Sequence, residues 1–193
     1  MTLVHFTRME AGTREEFEYL AGLEERYASA TADRVLGYFR AHTDTLEGYQ
    51  VTRQQHALQT ATRALRDGAD EELVVAALLH DLGDALAPWN HAEFAAAILR
   101  PYVSDRTWWI VRHHDLFQAY YYAHHAGGDR NVRDRYRGHP FFTAAAEFCH
   151  RWDQASFDPR YDSLPLEHFE PAVRRVLASA RPGFASLGPS RGQ

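Results

Sequence analysis

Residues 73–84 read LVVAALLHDLGD, and this stretch decides the fold of the chain. Every position from Val74 to Leu79 is apolar, so a helix here has no solvent face and should lie in the middle of a core. His80 and Asp81 follow at its end, where polar side chains are costly unless they are paired or bind a metal. Two interpretations are open: a buried hydrogen-bonded His–Asp pair, or two ligands of a metal site in which the carboxylate can bridge two metals.

Length and composition indicate a globular protein with a single domain. The 193 residues are typical of one domain. The single cysteine, Cys149, excludes an internal disulfide framework and fits a reducing compartment, so we expect a cytoplasmic protein. No apolar run reaches the roughly 18 residues of a membrane span, and the first residues do not have the layout of a signal peptide. The net charge of −5 argues against nucleic acid as a partner. Oligomeric state stays open.

Capping signals and apolar periodicity predict helices along the whole chain. Capping boxes at 13–16 and 52–55, and a third N-terminal box at 90–93, each open an apolar pattern with helical spacing. The expected inward residues are Phe17, Leu20 and Leu23 in the first helix, Val35, Leu36 and Phe39 in the second, and His56, Leu58, Ala61 and Leu65 in the third. Further helices are expected over 105–122, 141–156 and 165–180, and a turn over 46–50. No alternating strand pattern appears, so the fold class is all-α.

Histidine is frequent and unevenly distributed in this chain. Of its twelve histidines, eight lie between His80 and His150. Six polar residues fall on otherwise apolar helices: His56, His80, Asp81, His91, His114 and Asp153. A single histidine on such a face is more often a hydrogen-bonded core residue than a ligand. Four imidazoles and two carboxylates together suit Fe, Mn, Co or Zn, and the absence of cysteine from the set argues against a structural zinc site.

The order of these residues resembles the HD-domain superfamily of metal enzymes. His56, His80-Asp81 and Asp153 match its minimal set, and the two further histidines resemble the dinuclear branch, the mixed-valence diiron oxygenases. That branch includes myo-inositol oxygenase and a phosphonate-cleaving oxygenase. The sequences around the ligands are similar as well: QHALQTA, NHAEFAAAIL, IVRHH and RWDQ. The resemblance extends over about residues 49–158.

The resemblance implies a helical bundle with two iron ions, Fe(II) and Fe(III), in its core. One iron would take His56, His80, Asp81 and Asp153, and the other Asp81, His91 and His114. Asp81 would bridge the two. His113 stays open as the alternative to His114, which fits the family's phasing better. For the chain as a whole we expect one HD-type domain over residues 1–193, with N-terminal helices to about 45, a metal-binding core over 46–180 and a mobile tail over 181–193.

Departures from the family pattern guide the remaining site predictions. Tyr49 stands where the phosphonate-cleaving enzymes have an acid, and Glu47 is displaced. Gln118 replaces an expected lysine, and His150, beside Arg151, replaces an expected basic residue. Beside Asp81, the catalytic candidates are Asp84 and Tyr49. The substrate-binding candidates are Gln118, His150, Arg151, Tyr122 and Glu47. Tyr120–Tyr122 could line the substrate cavity or form a core edge or dimer interface.

The six arginines from Arg112 to Arg151 could bind an anionic substrate or form a solvated loop with Asp partners. They are Arg112, Arg130, Arg133, Arg135, Arg137 and Arg151.

Three functions are compatible with this pattern. The first is a diiron oxygenase that uses O2 to cleave a C–P or C–C bond of a small hydroxylated substrate, phosphonate-like or polyol-like. The alternative is a metal-dependent phosphohydrolase acting on a nucleotide or other phosphate ester, with Mn, Co or Zn and with Asp84 as acid/base. The third is a catalytically silent helical module. The complete ligand set argues against the third, and the pair His91 and His114 favours the first over the second.

Overall fold

The computed structural model describes residues 3–41, 48–178 and 180–181, and every regular element in these ranges is helical. The all-α prediction is therefore confirmed. The helices are α1 Arg14–Ser29, α2 Thr31–Ala41, α3 Arg53–Arg66, α4 Glu71–Leu79, α5 His91–Leu99, α6 Asp105–Tyr122, α7 Phe142–Phe148 and α8 Leu166–Val176. Short 3-10 turns cover Met9–Ala11, Ala123–Ala126 and Val132–Tyr136, and a π-turn covers Cys149–Asp153.

Helix α4 lies at the centre of the core, as its sequence predicts. All its residues from Leu73 to Leu79 are buried, and it packs against α3, α6 and α8. The side chain of Asp70 caps its start by accepting from the backbone N–H of Leu73 at 2.8 Å. Because the helix is apolar on all sides, the polar residues that follow it enter a desolvated environment.

Helix α3 begins and ends where its capping signals predict. Thr52 Oγ1 accepts from the backbone N–H of Gln55 at 3.0 Å, and Gln55 Oε1 accepts from the N–H of Thr52 at 2.8 Å. Asp67 ends the helix, and Gly68 follows in the left-handed conformation with φ of +76°, which glycine adopts without strain.

The predicted inward face of α3 is only partly right. Leu65 is 37% exposed and Leu58 is half-buried, whereas Ala57 and Ala64 are buried beside Ala61. The large side chains of α4 already fill the space between the two helices, so the residues of α3 that face α4 are small. This lets α3 approach α4 closely, and His56 is carried to the end of α4.

The first helix is less buried than its pattern predicts. Its capping box forms, with Thr13 and Glu16 bonded to each other's backbone. No residue of α1 is buried, however, and Leu23 is 36% exposed. The helix packs on α2 at the edge of the molecule. In α2, the predicted inward residues Val35, Leu36 and Phe39 are buried, and this face covers α8.

The other predicted bounds need smaller corrections. Asn90 makes no side-chain cap at the start of α5. The predicted helix over 141–156 is α7 followed by the π-turn, whose wider turn buries Cys149, Trp152 and Asp153 together. The helix predicted over 165–180 is α8, which ends at Val176. The turn predicted over 46–50 and the mobile tail predicted over 181–193 lie partly outside the described residues.

Among the described helices, none combines the length and the apolar character that crossing a membrane requires.

Leu78→Ala should lower the free energy of unfolding by about 2–5 kcal/mol, because it removes a side chain that is 1% exposed and leaves a cavity. Leu65→Ala is the matched control: the same atoms are lost from a side chain that is 37% exposed, so its effect should be well below that of Leu78→Ala. Urea unfolding followed by circular dichroism measures both. Equal losses would contradict the placement of α4 at the centre of the core.

Candidate metal centre

Six polar side chains from separate elements converge at the end of α4. They are His56 on α3, His80 and Asp81 just after α4, His91 at the start of α5, His114 on α6 and Asp153 at the end of the π-turn. These are the six residues that the sequence predicts as ligands. His56, His80, His114 and Asp153 are buried, whereas Asp81 and His91 are half-buried. Their role as metal ligands stays a prediction.

The carboxylate of Asp81 lies between two groups of imidazoles. Its Oδ2 is 3.4 Å from Nε2 of His56 and 3.3 Å from Nε2 of His80. Its Oδ1 is 3.0 Å from Nε2 of His114 and 3.5 Å from Nε2 of His91. Each carboxylate oxygen therefore faces its own pair of histidines, which is the arrangement of a bridging ligand.

Asp153 completes the inner of the two groups. Its Oδ1 is 3.2 Å from Nε2 of His56 and 3.7 Å from Nε2 of His80. The inner group, defined here as His56, His80, Asp81 and Asp153, thus offers four donors. The outer group, Asp81, His91 and His114, offers three.

The hydrogen bonds of the imidazoles fix which nitrogen of each ring is free. The Nδ1 atoms of His56, His80 and His114 lie 3.0, 2.9 and 2.7 Å from the backbone carbonyls of Ser156, Ala77 and Val111. A carbonyl oxygen only accepts, so each Nδ1 carries a hydrogen, and Nε2 is the atom that can present a lone pair to a metal ion at the centre once it has lost its proton.

Such a centre needs a cation. Nε2 of His56 and Nε2 of His80 are 3.2 Å apart, and carboxylate oxygens of Asp81 and Asp153 lie within 3.7 Å of them. Lone pairs and carboxylates that converge in a desolvated space repel one another unless a proton or a metal ion lies between them. The mixed nitrogen and oxygen donor set fits Fe, Mn, Co or Zn.

The titration of the buried groups reflects this demand for positive charge. Burial lowers the pKa of His80, but the carboxylates of Asp81 and Asp153 more than offset it and raise that pKa well above its ordinary value. Burial raises the pKa of Asp153, and hydrogen bonds from His56 and His80 reverse the shift, so that pKa lies well below its usual range. Without a metal, the centre therefore retains protons that a metal ion would displace.

The structure places His114, rather than its neighbour His113, in the cluster. His113 turns the other way, where its Nδ1 lies 2.8 Å from the carbonyl of Trp109 and its ring stacks on the Trp109 ring with centroids 4.3 Å apart.

A cavity of about 550 Å³ opens onto the outer group. Besides ligand candidates and Asp84, its wall includes three of the predicted catalytic and substrate-binding residues, namely Tyr49, Gln118 and Tyr122. Gln118 Nε2 donates to Asp153 Oδ1 at 3.0 Å, which fixes that carboxylate. Tyr122 is 56% exposed at the cavity.

Two predicted substrate-binding residues do not reach this cavity. Arg151 is exposed and pairs with Asp67 Oδ2 at 2.9 Å. His150 is exposed as well, and its Nδ1 lies 3.3 Å from the hydroxyl of Tyr121. The π-turn directs Asp153 inward, and His150 and Arg151 consequently face outward. Glu47 lies outside the described residues.

The arginines that the sequence offered for anion binding contact acidic side chains or aromatic rings instead. Arg112 pairs with Glu93 at 3.0 Å and Arg137 with Asp134 at 2.8 Å. Arg133 stacks on the ring of Tyr120, 3.6 Å from its centroid. The remaining contacts are those of Arg130 with Tyr120 and of Arg135 with Tyr136. None of these arginines lines the cavity among the described residues.

Sequence reasoning missed several cavity residues, among them Arg53, Asp115, Gln154 and Phe157. Asp115 directly follows a ligand candidate, and Phe157 lies four residues after Asp153, so proximity in sequence could have indicated both. Arg53 lies inside the capping box of α3, so the sequence pattern indicated only the start of a helix and not a cavity residue.

The family model described as HD domain matches residues 53–157, more than half of the chain. The matched range contains all six residues of the cluster. No curated protein matches the chain.

Asp81→Ala should abolish binding of both metals, because both groups share this carboxylate, whereas His114→Ala should leave one metal in the inner group. Metal content per chain, measured after loading and desalting, tests this. Asp162→Asn is a control, since that side chain is 97% exposed and far from the cluster. Two metals retained by Asp81→Ala would contradict the shared-ligand geometry.

The thiol of Cys149 should be unreactive in the folded protein. It is buried beside Asp153, and burial together with that carboxylate raises its pKa well above the ordinary value, so little thiolate forms. A disulfide reagent such as Ellman's should therefore titrate no thiol in buffer and one per chain in guanidinium. Rapid stoichiometric reaction of the native protein would show that the π-turn is open.

Proposed function

The chain belongs to the HD domain family, and we propose that within this family it is a diiron oxygenase. It would use O2 to cleave a C–P or C–C bond of a small hydroxylated substrate, phosphonate-like or polyol-like. The family consists in general of metal-dependent enzymes of the phosphohydrolase type, so the proposal concerns the chemistry at the metals and not the presence of a metal site.

The observation that carries the proposal is the position of Asp81 between two donor groups. A single-metal site needs only the inner group, with its four donors. His91 and His114 would have no function in such a site, yet both rings direct Nε2 at the second oxygen of the same carboxylate, at 3.5 and 3.0 Å. A second metal accounts for this arrangement.

The outer group supports a site at which a substrate can be bound directly. It has three side-chain donors, and it borders the cavity. A metal with so few protein ligands keeps coordination positions open for other oxygen ligands. Iron bound there would supply the redox chemistry of dioxygen activation and act as a Lewis acid toward a substrate hydroxyl.

The chain's own residues would orient the substrate and limit its contact with water. Gln118 holds Asp153 in place and presents its amide at the cavity wall. Tyr49 and Phe157 stack with ring centroids 5.6 Å apart, and Phe157 in turn packs on the ring of His56 at 4.6 Å. This aromatic wall would exclude water from one side of the metal centre.

The cavity is better suited to a small hydroxylated molecule than to a nucleotide. Among the described residues that line it, Arg53 is the single guanidinium, and this group is paired with Asp84. Carboxylates, amides and aromatic rings make up much of the wall. Several phosphate groups would lack the arginine contacts by which they are usually bound.

A metal-dependent phosphohydrolase is the second candidate, because hydrolysis is the general chemistry of the family. A metal-bound hydroxide would be the nucleophile in that case, and no redox metal would be needed.

Dependence on oxygen separates the two functions. Iron-loaded protein should convert hydroxylated phosphonates or polyols only in the presence of O2, with oxygen consumed in proportion to product. Mass spectrometry and an oxygen electrode measure this, and protein with Asp81→Ala is the control. Hydrolysis of phosphate esters at equal rates in air and under nitrogen, by zinc-loaded or manganese-loaded protein, would contradict the oxygenase proposal.

A further inference from the structure

We propose that Asp84, held in place by Arg53, is a positioning residue that orients His91 and so determines how tightly the second metal binds. This inference rests on the two-metal centre of the proposed function. It replaces the acid/base role that the sequence suggested for Asp84.

His91 differs from the other three histidines in how its ring is held. Their Nδ1 atoms face backbone carbonyls, whereas Nδ1 of His91 faces a side chain, with Oδ1 of Asp84 3.6 Å away. The His91 side chain is also the most exposed of the four, at 23%. Its orientation therefore depends on a partner that can itself move.

Arg53 restricts that movement. Its guanidinium pairs with Oδ2 of Asp84, so the two carboxylate oxygens have different partners. Arg53 belongs to the first turn of α3, three residues before His56. The ion pair thus connects the helix that carries an inner ligand to the loop that leads to an outer ligand.

The backbone near Asp84 is fixed by a close contact. A Cβ at Gly83 would lie 2.6 Å from the carbonyl oxygen of His91 and 2.8 Å from its Cα, so only glycine fits there. Gly83 packs directly on the start of α5, and Asp84 is consequently placed beside the His91 ring. The backbone of His91 is thus set by Gly83 and its ring by Asp84.

A carboxylate on the far nitrogen of a ligand histidine orients the ring and increases the basicity of the coordinating nitrogen. Loss of such a partner typically weakens metal binding about 10- to 100-fold. Metal binding by the inner group should not be affected. Its histidines are oriented by backbone carbonyls, which a substitution of Asp84 or Arg53 leaves unchanged.

Titration with Co(II), followed by its visible absorption and by calorimetry, tests the proposal without any turnover. The wild-type chain should bind two ions. Asp84→Ala should bind the first with unchanged affinity and the second about 10- to 100-fold more weakly. Arg53→Ala should weaken the second ion by a smaller factor, and the double variant should be no weaker than Asp84→Ala, since Arg53 acts through Asp84. Asp84→Glu should recover part of the loss.

The control is another Arg–Asp ion pair, Arg174 with Asp33 at 2.5 Å. Both residues lie on the surface and are distant in sequence from the six residues of the cluster. Asp33→Ala should bind both ions as the wild type does, and circular dichroism verifies that each variant is folded.

The outcomes are distinguishable. Equal weakening of both ions by Asp84→Ala would indicate a general structural role and overturn the proposal. Unchanged affinities of both ions in Asp84→Ala would show that Asp84 does not position His91 and would also overturn it. A wild-type chain that binds one ion would contradict the two-metal centre itself, and the inference would fail with it.

Discussion

The carboxylate of Asp81 is the group on which the rest of the site depends. It directly follows a helix that is buried on all sides, so its desolvation must be offset, and both of its oxygens are surrounded by imidazole nitrogens. Because the Nδ1 atoms of three of those imidazoles face backbone carbonyls, their Nε2 lone pairs converge on the carboxylate. A buried set of acceptors of this kind is stable only with positive charge at its centre. Metal binding is therefore the simplest reason for the fold to retain it.

The fold brings these groups together through a few local features. Small residues on α3 allow it to approach α4, Gly83 allows the start of α5 to pack on the loop after Asp81, and the π-turn directs Asp153 inward. Each feature places a ligand candidate within about 4 Å of the same carboxylate or its neighbours. The cavity lies on the side where the outer group is least covered by protein, which is where a substrate could reach a metal.

The sequence predicted the helical class, the central position of α4 and the convergence of the six polar residues, because an all-apolar helix ending in His80-Asp81 has few alternatives. It placed Leu65 inward, which was wrong, since periodicity identifies a face but not how closely two helices approach. His150 and Arg151 were assigned to the substrate because the family resemblance implies a basic residue shortly before Asp153, and the π-turn changes the direction of their side chains. The contact between Asp84 and His91 depends on tertiary packing that no local pattern encodes.

The most direct test of the account is the metal content and electron paramagnetic resonance of wild-type protein purified from iron-supplemented cells without air and then partially oxidised. The account predicts two irons per chain and the signal of a coupled Fe(II)/Fe(III) pair, since a carboxylate bridge between the two sites couples their spins. One iron per chain, or two irons with no magnetic coupling, would contradict a dinuclear centre bridged by Asp81.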